Sequence, residues 1–333
     1  MVDGPSLTSW ERNGAAVLAQ YGLPDDSELQ LLRLSENATY RLFDRQKNVH
    51  RILRLHRPGY RSFEEIRSEI QWVEAVSAQG ILRSPAIIPT VAGEKIAHFH
   101  DAEGGSQYAV MLEFIPGDHP SEDRLAPSYR DLGRIAATLH DQSDCWETPS
   151  GFSRPTWGIE SAIGQEAHWG RWQDNESVMP DDHFLFLKAE RKIREQLAPY
   201  GKPEGRWGLI HGDMRVANQI VNENGLYLID FDDCGYSWHM WELACSMSFM
   251  EERPDLDIIA AAWIEGYRSV RTLDASDIAV VPAMVMLRRL LLVGWFATRL
   301  DAPEIATMAS RFVPQSREIA LRFLADEFLC FNP

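Results

Sequence analysis

Up to about residue 116, apolar residues come in short runs separated by turn signals, which predicts strands. A short helix near residues 8–21 precedes ELQLLRL (28–34), the polar link SENA, TYRLFD (39–44), the turn RQKN and VHRILRLH (49–56). Ser62 with Glu65 three residues on is a capping box. Phe63, Ile66, Ile70 and Val73 recur on one face of the helix it opens, and Gly80 is its expected stop. EKIAHFH (94–100) and SQYAVMLEFI (106–115) are two further expected strands, joined by the turn-rich DAEGG. Pro and Gly in IPGDHP (115–120) then mark a linker.

Beyond the linker the pattern turns helical. Leu132, Ile135, Ala136 and Leu139 give DLGRIAATLHDQ one apolar face. Residues 145–180 are irregular and rich in Trp, Pro and Gly, a helix is expected near 182–198, and three or four more are expected towards the end. The most apolar stretch, IAVVPAMVMLRRLLLVGWFAT, is interrupted by Arg288 and Arg289. It falls short of the ~18 uninterrupted apolar residues of a membrane span and reads as a buried helix, so no membrane association is expected. The fold class is α+β: a small five-stranded lobe with one main helix over 1–115, a hinge at about 112–118, and a larger, mostly helical lobe over 116–333 carrying one hairpin.

Composition narrows the partners. With 49 acidic and 33 basic residues the formal net charge is −16, which makes nucleic acid a poor partner. The four cysteines (Cys145, Cys234, Cys245, Cys330) form no CxxC, so a disulfide framework or zinc site is not expected and a reducing, cytoplasmic setting fits. MVDGPSLTSWERNG lacks a basic region followed by an apolar run, and no signal peptide is expected there. His98, His100 and His119 are read as solvated imidazoles rather than metal ligands. Neither GxxxxGK[ST] nor GxSxG occurs, which argues against a P-loop NTPase and an α/β-hydrolase elbow.

The chemistry concentrates in LIHGDMRVANQIVNENGLYLIDFDD (209–233). WGLI reads as an apolar run, HGDMRVAN as a loop and QIVNENGLYLIDF as a hairpin, with Asn224-Gly225 expected at the turn's φ > 0 positions. The hairpin brings Asn218 at one end beside Asp230 at the other, with Asp213 in reach on the preceding loop. Two carboxylates and an amide converging at a strand end are costly unless paired. A hard divalent cation with a phosphate chain resolves this, Mg²⁺ taking one or two carboxylates plus phosphate oxygens. Asp213 is then left to accept or orient the proton of an attacking hydroxyl, and phosphoryl transfer asks for little beyond positioning and charge neutralisation.

HGDMRVAN resembles the His-x-Asp-x-x-x-x-Asn catalytic loop of the kinase-like fold, and LIDFD resembles the metal-binding segment that follows it. With Gly between His211 and Asp213, and FD after Asp230, the pattern is similar to the aminoglycoside phosphotransferase and choline kinase superfamily. LRLHRPGYRSFEEIRSEI resembles the branch with homoserine-kinase-type and stress-response-kinase-A-type proteins. The resemblance implies a bilobal protein-kinase-like fold and an ATP- and Mg²⁺-dependent kinase. Its implied site roles are Asp213 as the catalytic Asp, His211 as brace of its loop, Asn218 and Asp230 on the metal, and Arg215 where a phosphate-contacting Lys often stands, a surface Arg being the alternative there. Asp232 is either a second metal ligand or a hydrogen-bond acceptor for the loop.

On the nucleotide side the resemblance implies Arg54 as the third-strand cation paired with Glu69, Glu65 being the fallback partner. Ser35, Asn37 and Thr39 are expected at the phosphates, Glu113 and Ile115 at the adenine through their backbone, and Met111 beside the pocket. Trp157, Trp169 and Trp172 are the acceptor candidates, because aromatic faces attract ammonium groups; core packing is their alternative. The leading function is γ-phosphate transfer from ATP to a small-molecule hydroxyl, of a cationic amino alcohol or an aminoglycoside-like acceptor. The alternatives are a stress-type Ser/Thr protein kinase, with a protein as substrate, and a non-catalytic nucleotide-binding module.

Overall fold

The computed structural model describes residues 7–24, 27–101, 104–121, 125–299 and 303–330. Residues 1–6, read above for a leader, and Ala102 and Glu103 of the DAEGG turn lie outside the described residues. The chain divides into two compact units. One comprises Met1–Ser77, Arg83–Gly117 and Pro149–Ser153; the other comprises Ala78–Leu82, Asp118–Thr148 and Arg154–Pro333.

In the first unit, α1 (Leu7–Leu18) is followed by β1 (Leu29–Leu34), β2 (Asn37–Asp44), β3 (Val49–His56), α2 (Phe63–Ala78), β4 (Ile87–Ile88), β5 (Ala97–His100) and β6 (Ser106–Glu113). The antiparallel sheet runs β1-β2-β3-β6-β4, with β5 also on β6. It has six strands rather than the expected five. The extra one, β4, is two residues between Pro85 and Pro89, too short to show a period. The capping box forms as read: the Ser62 N–H donates to Glu65 Oε2 (2.8 Å) and the Glu65 N–H to Ser62 Oγ (3.2 Å).

Alternation along the strands separates two cores. Leu53, Leu55, Ala109 and Met111 pack with Trp10, Val17 and Leu18 of α1. Val110 packs with Ile66 and Ile70 of α2 on the other face.

The second unit holds α3 (Leu125–Cys145), α4 (Ile159–Ile163), α5 (Pro180–Tyr200), β7 (Trp207–Ile210), β8 (Gln219–Asn222), β9 (Gly225–Leu228), β10 (Gly235–Trp238), α6 (Trp241–Ser246), α7 (Leu256–Arg268), α8 (Ala275–Ala279), α9 (Val281–Thr298) and α10 (Pro303–Leu324). More helices follow the hairpin than expected, because α6 and α8 span only 6 and 5 residues, below the length at which a period is legible. Helices α3 and α7 touch backbone to backbone. A Cβ on Gly133 would lie 1.9 Å from the Trp263 carbonyl oxygen, and one on Gly266 1.9 Å from that of Arg130. The segment Ala275–Thr298 is long and apolar enough to cross a membrane, yet 89% of its apolar window is buried inside the protein, as befits a core helix.

Candidate active site

The hairpin reversal differs by one residue from the expectation. Gln219 pairs with Leu228 and Asn222 with Gly225, which leaves Glu223-Asn224 as the turn. Asn222 Oδ1 accepts the Asn224 N–H (2.9 Å), a side-chain-closed turn, and Gly225 alone takes positive φ (116°). The ends still meet as expected: the Ile229 N–H donates to the Asn218 carbonyl (3.0 Å), which sets Asp230 beside Asn218. Asp230 is left-handed (φ 68°, ψ 60°), a conformation that is strained for a non-glycine residue and clusters at functional sites. Mutual backbone hydrogen bonds between Asp118 and Val221 anchor the hairpin, and His119 Nδ1 meets the Gln219 carbonyl (2.8 Å).

The HGDMRVAN loop is held by a buried carboxylate. Glu242, fully buried in the first turn of α6, accepts the N–H groups of His211 (2.7 Å) and Gly212 (3.1 Å). His211 Nδ1 accepts the Asp213 N–H (3.2 Å), so its proton sits on Nε2, which donates to the Ile229 carbonyl (3.1 Å). Burial lowers the His211 pKa against the pull of Glu242 and Asp213. The ring is thus a neutral strut joining loop to hairpin. Gly212 has φ 80°, and a Cβ there would lie 2.4 Å from the Asp233 carbonyl oxygen, which is why this loop carries glycine after its histidine.

The Asp213 carboxylate gathers three side chains. Oδ1 accepts from Arg215 Nε (2.9 Å) and Arg288 Nη2 (3.2 Å); Oδ2 accepts from Arg215 Nη2 (3.0 Å) and Asn218 Nδ2 (2.8 Å). With its amide nitrogen turned to Asp213, Asn218 directs its oxygen elsewhere. That oxygen and the Asp230 carboxylate are hard donors of the kind Mg²⁺ takes, so the residues fit such an ion. Asp232 is buried in the one-turn segment Phe231–Asp233, and neighbours grip the carbonyls of this segment and of Cys234 after it: Arg154 Nη2 donates to the Asp232 backbone oxygen, Arg154 Nε to Cys234 O (2.7 Å) and Trp157 Nε1 to Asp233 O (2.8 Å).

In the first unit, Arg54 and Glu69 form the expected pair at 2.6 Å, both buried, while Glu65 is spent on its capping box. Arg54 pairs in register with Val110 and Thr39, and Met111 with Leu53. Met111 therefore lies on the α1 face, opposite Arg54, in the core (1% exposed) rather than beside a pocket on Arg54's face. The Glu113 N–H already donates to the Ala86 carbonyl (2.9 Å), so that donor is not available to an adenine; Ile115 is buried. The β1–β2 reversal is tight. The Ser35 N–H bonds the Asn37 carbonyl (3.1 Å), Arg57 Nη2 donates to the Ser35 carbonyl (2.7 Å), and Asn37 and Thr39 lie in β2.

The three tryptophans do not form an open cage. Trp172 is fully buried against Phe186 and donates to Glu190 (3.2 Å); Trp157 backs the Asp233 carbonyl. The face of Trp169 carries the Arg288 guanidinium, 4.7 Å from its centroid. The space beside Arg215 is instead a cavity of about 360 Å³ lined by Tyr129, Arg215, Ser248, Phe249, Met250 and Arg253. Arg154, Glu242, Arg288 and Phe249 are site residues without a local motif. A buried acid in WELA and arginines inside an apolar helix were the available signals.

Three similarities bear on this geometry. The chain is 36% identical to a microcompartment-associated aminopropanol kinase of solved structure, with a TM-score of 0.86 over 96% of this chain and 98% of that one. It is 21% identical over 291 residues to amicoumacin kinase from Bacillus subtilis (strain 168), covering 84% of this chain and 82% of the relative. The solved structure of an amicoumacin kinase in complex with AMP-PNP, Ca²⁺ and Ami shares the fold, with a TM-score of 0.71 at 21% identity over 92% of both chains. The model of the phosphotransferase enzyme family matches residues 29–273, across the catalytic loop and hairpin, and this chain belongs to that family.

Proposed function

We propose that this phosphotransferase moves the γ-phosphate of ATP to the hydroxyl of a small amino alcohol. The observation that carries the transfer chemistry is the meeting of Asp213, Asn218 and Asp230 at the hairpin's open end, on a loop pinned by Glu242. The acceptor class rests on the likeness to the aminopropanol kinase at 36% identity over nearly the whole chain. The cavity beside Arg215, about 360 Å³, suits a compact acceptor, and Tyr129 and Phe249 are among its lining residues.

In this reading Asp213 orients the acceptor hydroxyl and receives its proton as the oxygen attacks the γ-phosphorus and the bond to the β-phosphate oxygen breaks, releasing ADP. Arg215, already on Asp213, supplies positive charge to the phosphoryl group in flight. Asn218 and Asp230 would hold a divalent cation, which when bound neutralises phosphate charge. The AMP-PNP and Ca²⁺ of the amicoumacin kinase structure support that nucleotide and cation. Asp232, buried in a segment clamped by Arg154 and Trp157, is assigned to holding the loop. The Arg54–Glu69 pair provides the phosphate cation of the first unit, Arg replacing the usual Lys with a permanently charged fork.

The test is transfer from γ-labelled ATP with Mg²⁺ to a panel of amino alcohols, hydroxy acids, sugars, aminoglycosides and a dephosphorylated protein. Asp213→Asn should retain ATP–Mg²⁺ affinity and slow turnover about 10²–10⁴-fold, as for a lost general base. Asp230→Ala should lose metal-dependent nucleotide binding. Asp213-dependent label on any other class of the panel, with none on amino alcohols, refutes the acceptor assignment. Equal, mild effects of both substitutions refute the site.

A further inference from the structure

Helix α9 is buried along nearly its whole length, yet Arg288 and Arg289 both lie inside it at 2% exposure. A guanidinium so placed is costly unless well paired. Arg289 is fully engaged in tertiary structure: it donates to Ser316 Oγ (2.7 Å), Glu251 Oε2 (2.8 Å) and the Phe312 carbonyl (3.2 Å), and lies over the Phe312 ring. Arg288 is used differently. The carboxylate it reaches is Asp213 Oδ1 (3.2 Å), its Nε donates to Ser248 Oγ (3.1 Å), its flat face rests on Trp169, and its Nη1 has no hydrogen-bond partner among the described residues.

We propose that Arg288 is a positioning residue for phosphotransfer, fixing the orientation of the Asp213 carboxylate from the protein core. Asn218 holds Oδ2 and Arg288 holds Oδ1, so the two define the carboxylate plane. Arg215 also grips both oxygens, but it lines the cavity, where an entering acceptor or phosphoryl group competes for its guanidinium. Arg288 is stacked on Trp169 and tied to Ser248, out of reach of that competition. When Arg215 turns to the substrate, Arg288 keeps Asp213 in place. Removing one partner of a buried pair is destabilising where it strands the other charge, but without Arg288 the Asp213 carboxylate still keeps Arg215 and Asn218, so the loss should be felt in turnover. The inference builds on the phosphotransfer reading and is independent of which hydroxyl is the acceptor.

Arg288→Met and Arg288→Lys, each alone and combined with Asp213→Asn, test it. Rates are measured with the best acceptor of the panel and also with water as acceptor, read as ADP release, so failure of the amino-alcohol assignment leaves the test intact. Arg288→Met should lower kcat about 10- to 100-fold, the scale of a misplaced catalytic group, while both KM values change little. Arg288→Lys, which keeps a cation, should be intermediate, and added guanidinium ion should restore part of the rate of Arg288→Ala, whose truncated side chain leaves room for it. Combined with Asp213→Asn, Arg288→Met should cost little more, because the group it positions is already altered. Parental kcat in Arg288→Met overturns the proposal. So does a loss of equal size with and without Asp213→Asn.

Discussion

Gly212→Ala is a one-methyl perturbation whose consequences follow from two distances. The new Cβ would meet the Asp233 carbonyl oxygen at 2.4 Å and its carbon at 3.1 Å. Ordinary contact begins at 3.4 Å, so the loop and the Phe231–Asp233 segment must part by about 1 Å. Neither side yields easily: Glu242 holds the Gly212 N–H, and Trp157 holds the Asp233 carbonyl. Overpacking of this kind costs about 1–3 kcal/mol, and a left-handed φ of 80° adds roughly 1 kcal/mol for a residue with a side chain. A total of about 2–4 kcal/mol is near 4–16 °C in melting temperature at the ~2–4 °C per kcal/mol of a 150–250-residue unit. A displacement of about 1 Å next to Asp213 should cost on the order of 10²-fold in kcat. The control is Gly225→Ala on the hairpin that follows this loop, where φ is 116° but nothing among the described residues lies within 4 Å of the added Cβ. It should lower stability through strain alone and leave kcat near the parent's. Steady-state kinetics and thermal unfolding of both variants decide it, and equal kcat losses in the two would refute the clash argument.

Burial holds the Glu242 carboxyl above the usual range, the loop N–H groups pulling it back only in part. A carboxyl raised in the fold keeps its proton longer there than in the unfolded chain. Its stabilisation is whole below the unfolded value of about 4.3 and is lost as pH rises through the folded one. Glu242→Gln, locked neutral, should therefore match the parent in acid and become the more stable protein towards neutrality, while its kcat falls because the amide turns a donor against one loop N–H; a stability difference that does not change with pH refutes this. His239, stacked on His140 with ring centroids 4.3 Å apart, is pushed by burial, and next by His140, down to about 2. Its stabilising contribution is present above the unfolded value of about 6.5 and drains away as pH falls below it, so His239→Phe should flatten the acid side of a melting-temperature profile between pH 7.5 and 5. An unflattened profile would show that the pair titrates freely. Trp172→Ala should lower stability by about 3–5 kcal/mol without moving the acceptor KM, and a KM shift at intact stability would return Trp172 to the acceptor site.

The hairpin was legible because its information is local. Two apolar runs, an Asn-Gly signal and acids at fixed offsets suffice to bring Asn218 to Asp230, and the family match across residues 29–273 bears out the superfamily read from them. The turn slipped by one residue because Asn222, by capping Asn224 with its side chain, moved the reversal ahead of the glycine. The two lobes' secondary structure was legible where elements were long. The two-residue β4 carries no period, and α6 and α8 are barely longer than a turn. Met111 was misplaced although the strand period held the answer: Arg54 pairs with Val110, so Met111 must face the other way. The holders of the site left only weak signals, an acid in WELA and arginines inside an apolar stretch, with nothing to say what they hold. Arg154, Glu242 and Arg288 reach it from 59, 29 and 75 positions away from Asp213 in sequence, and no spacing rule links a residue of α9 to the catalytic loop.

These holders share a logic that follows from the reaction. In a loose phosphoryl-transfer transition state little covalent chemistry falls to the protein, so rate depends on where charges stand rather than on how strong an acid or base is. The structure accordingly spends its costly buried ionic groups on orientation. Glu242 fixes the backbone before Asp213, Arg154 fixes the carbonyls after Asp230, and Arg288 and Asn218 fix the Asp213 carboxylate itself. Replacing a buried pair as a whole is often neutral for stability, but removing one partner leaves the other uncompensated. Loss of a holder should therefore register in kcat as well as in folding, whereas loss of core residues such as Trp172 should register in folding alone. In a chain with a net charge of −16, the buried guanidinium groups of Arg154 and Arg288 are thus set against the loop carbonyls and the Asp213 carboxylate.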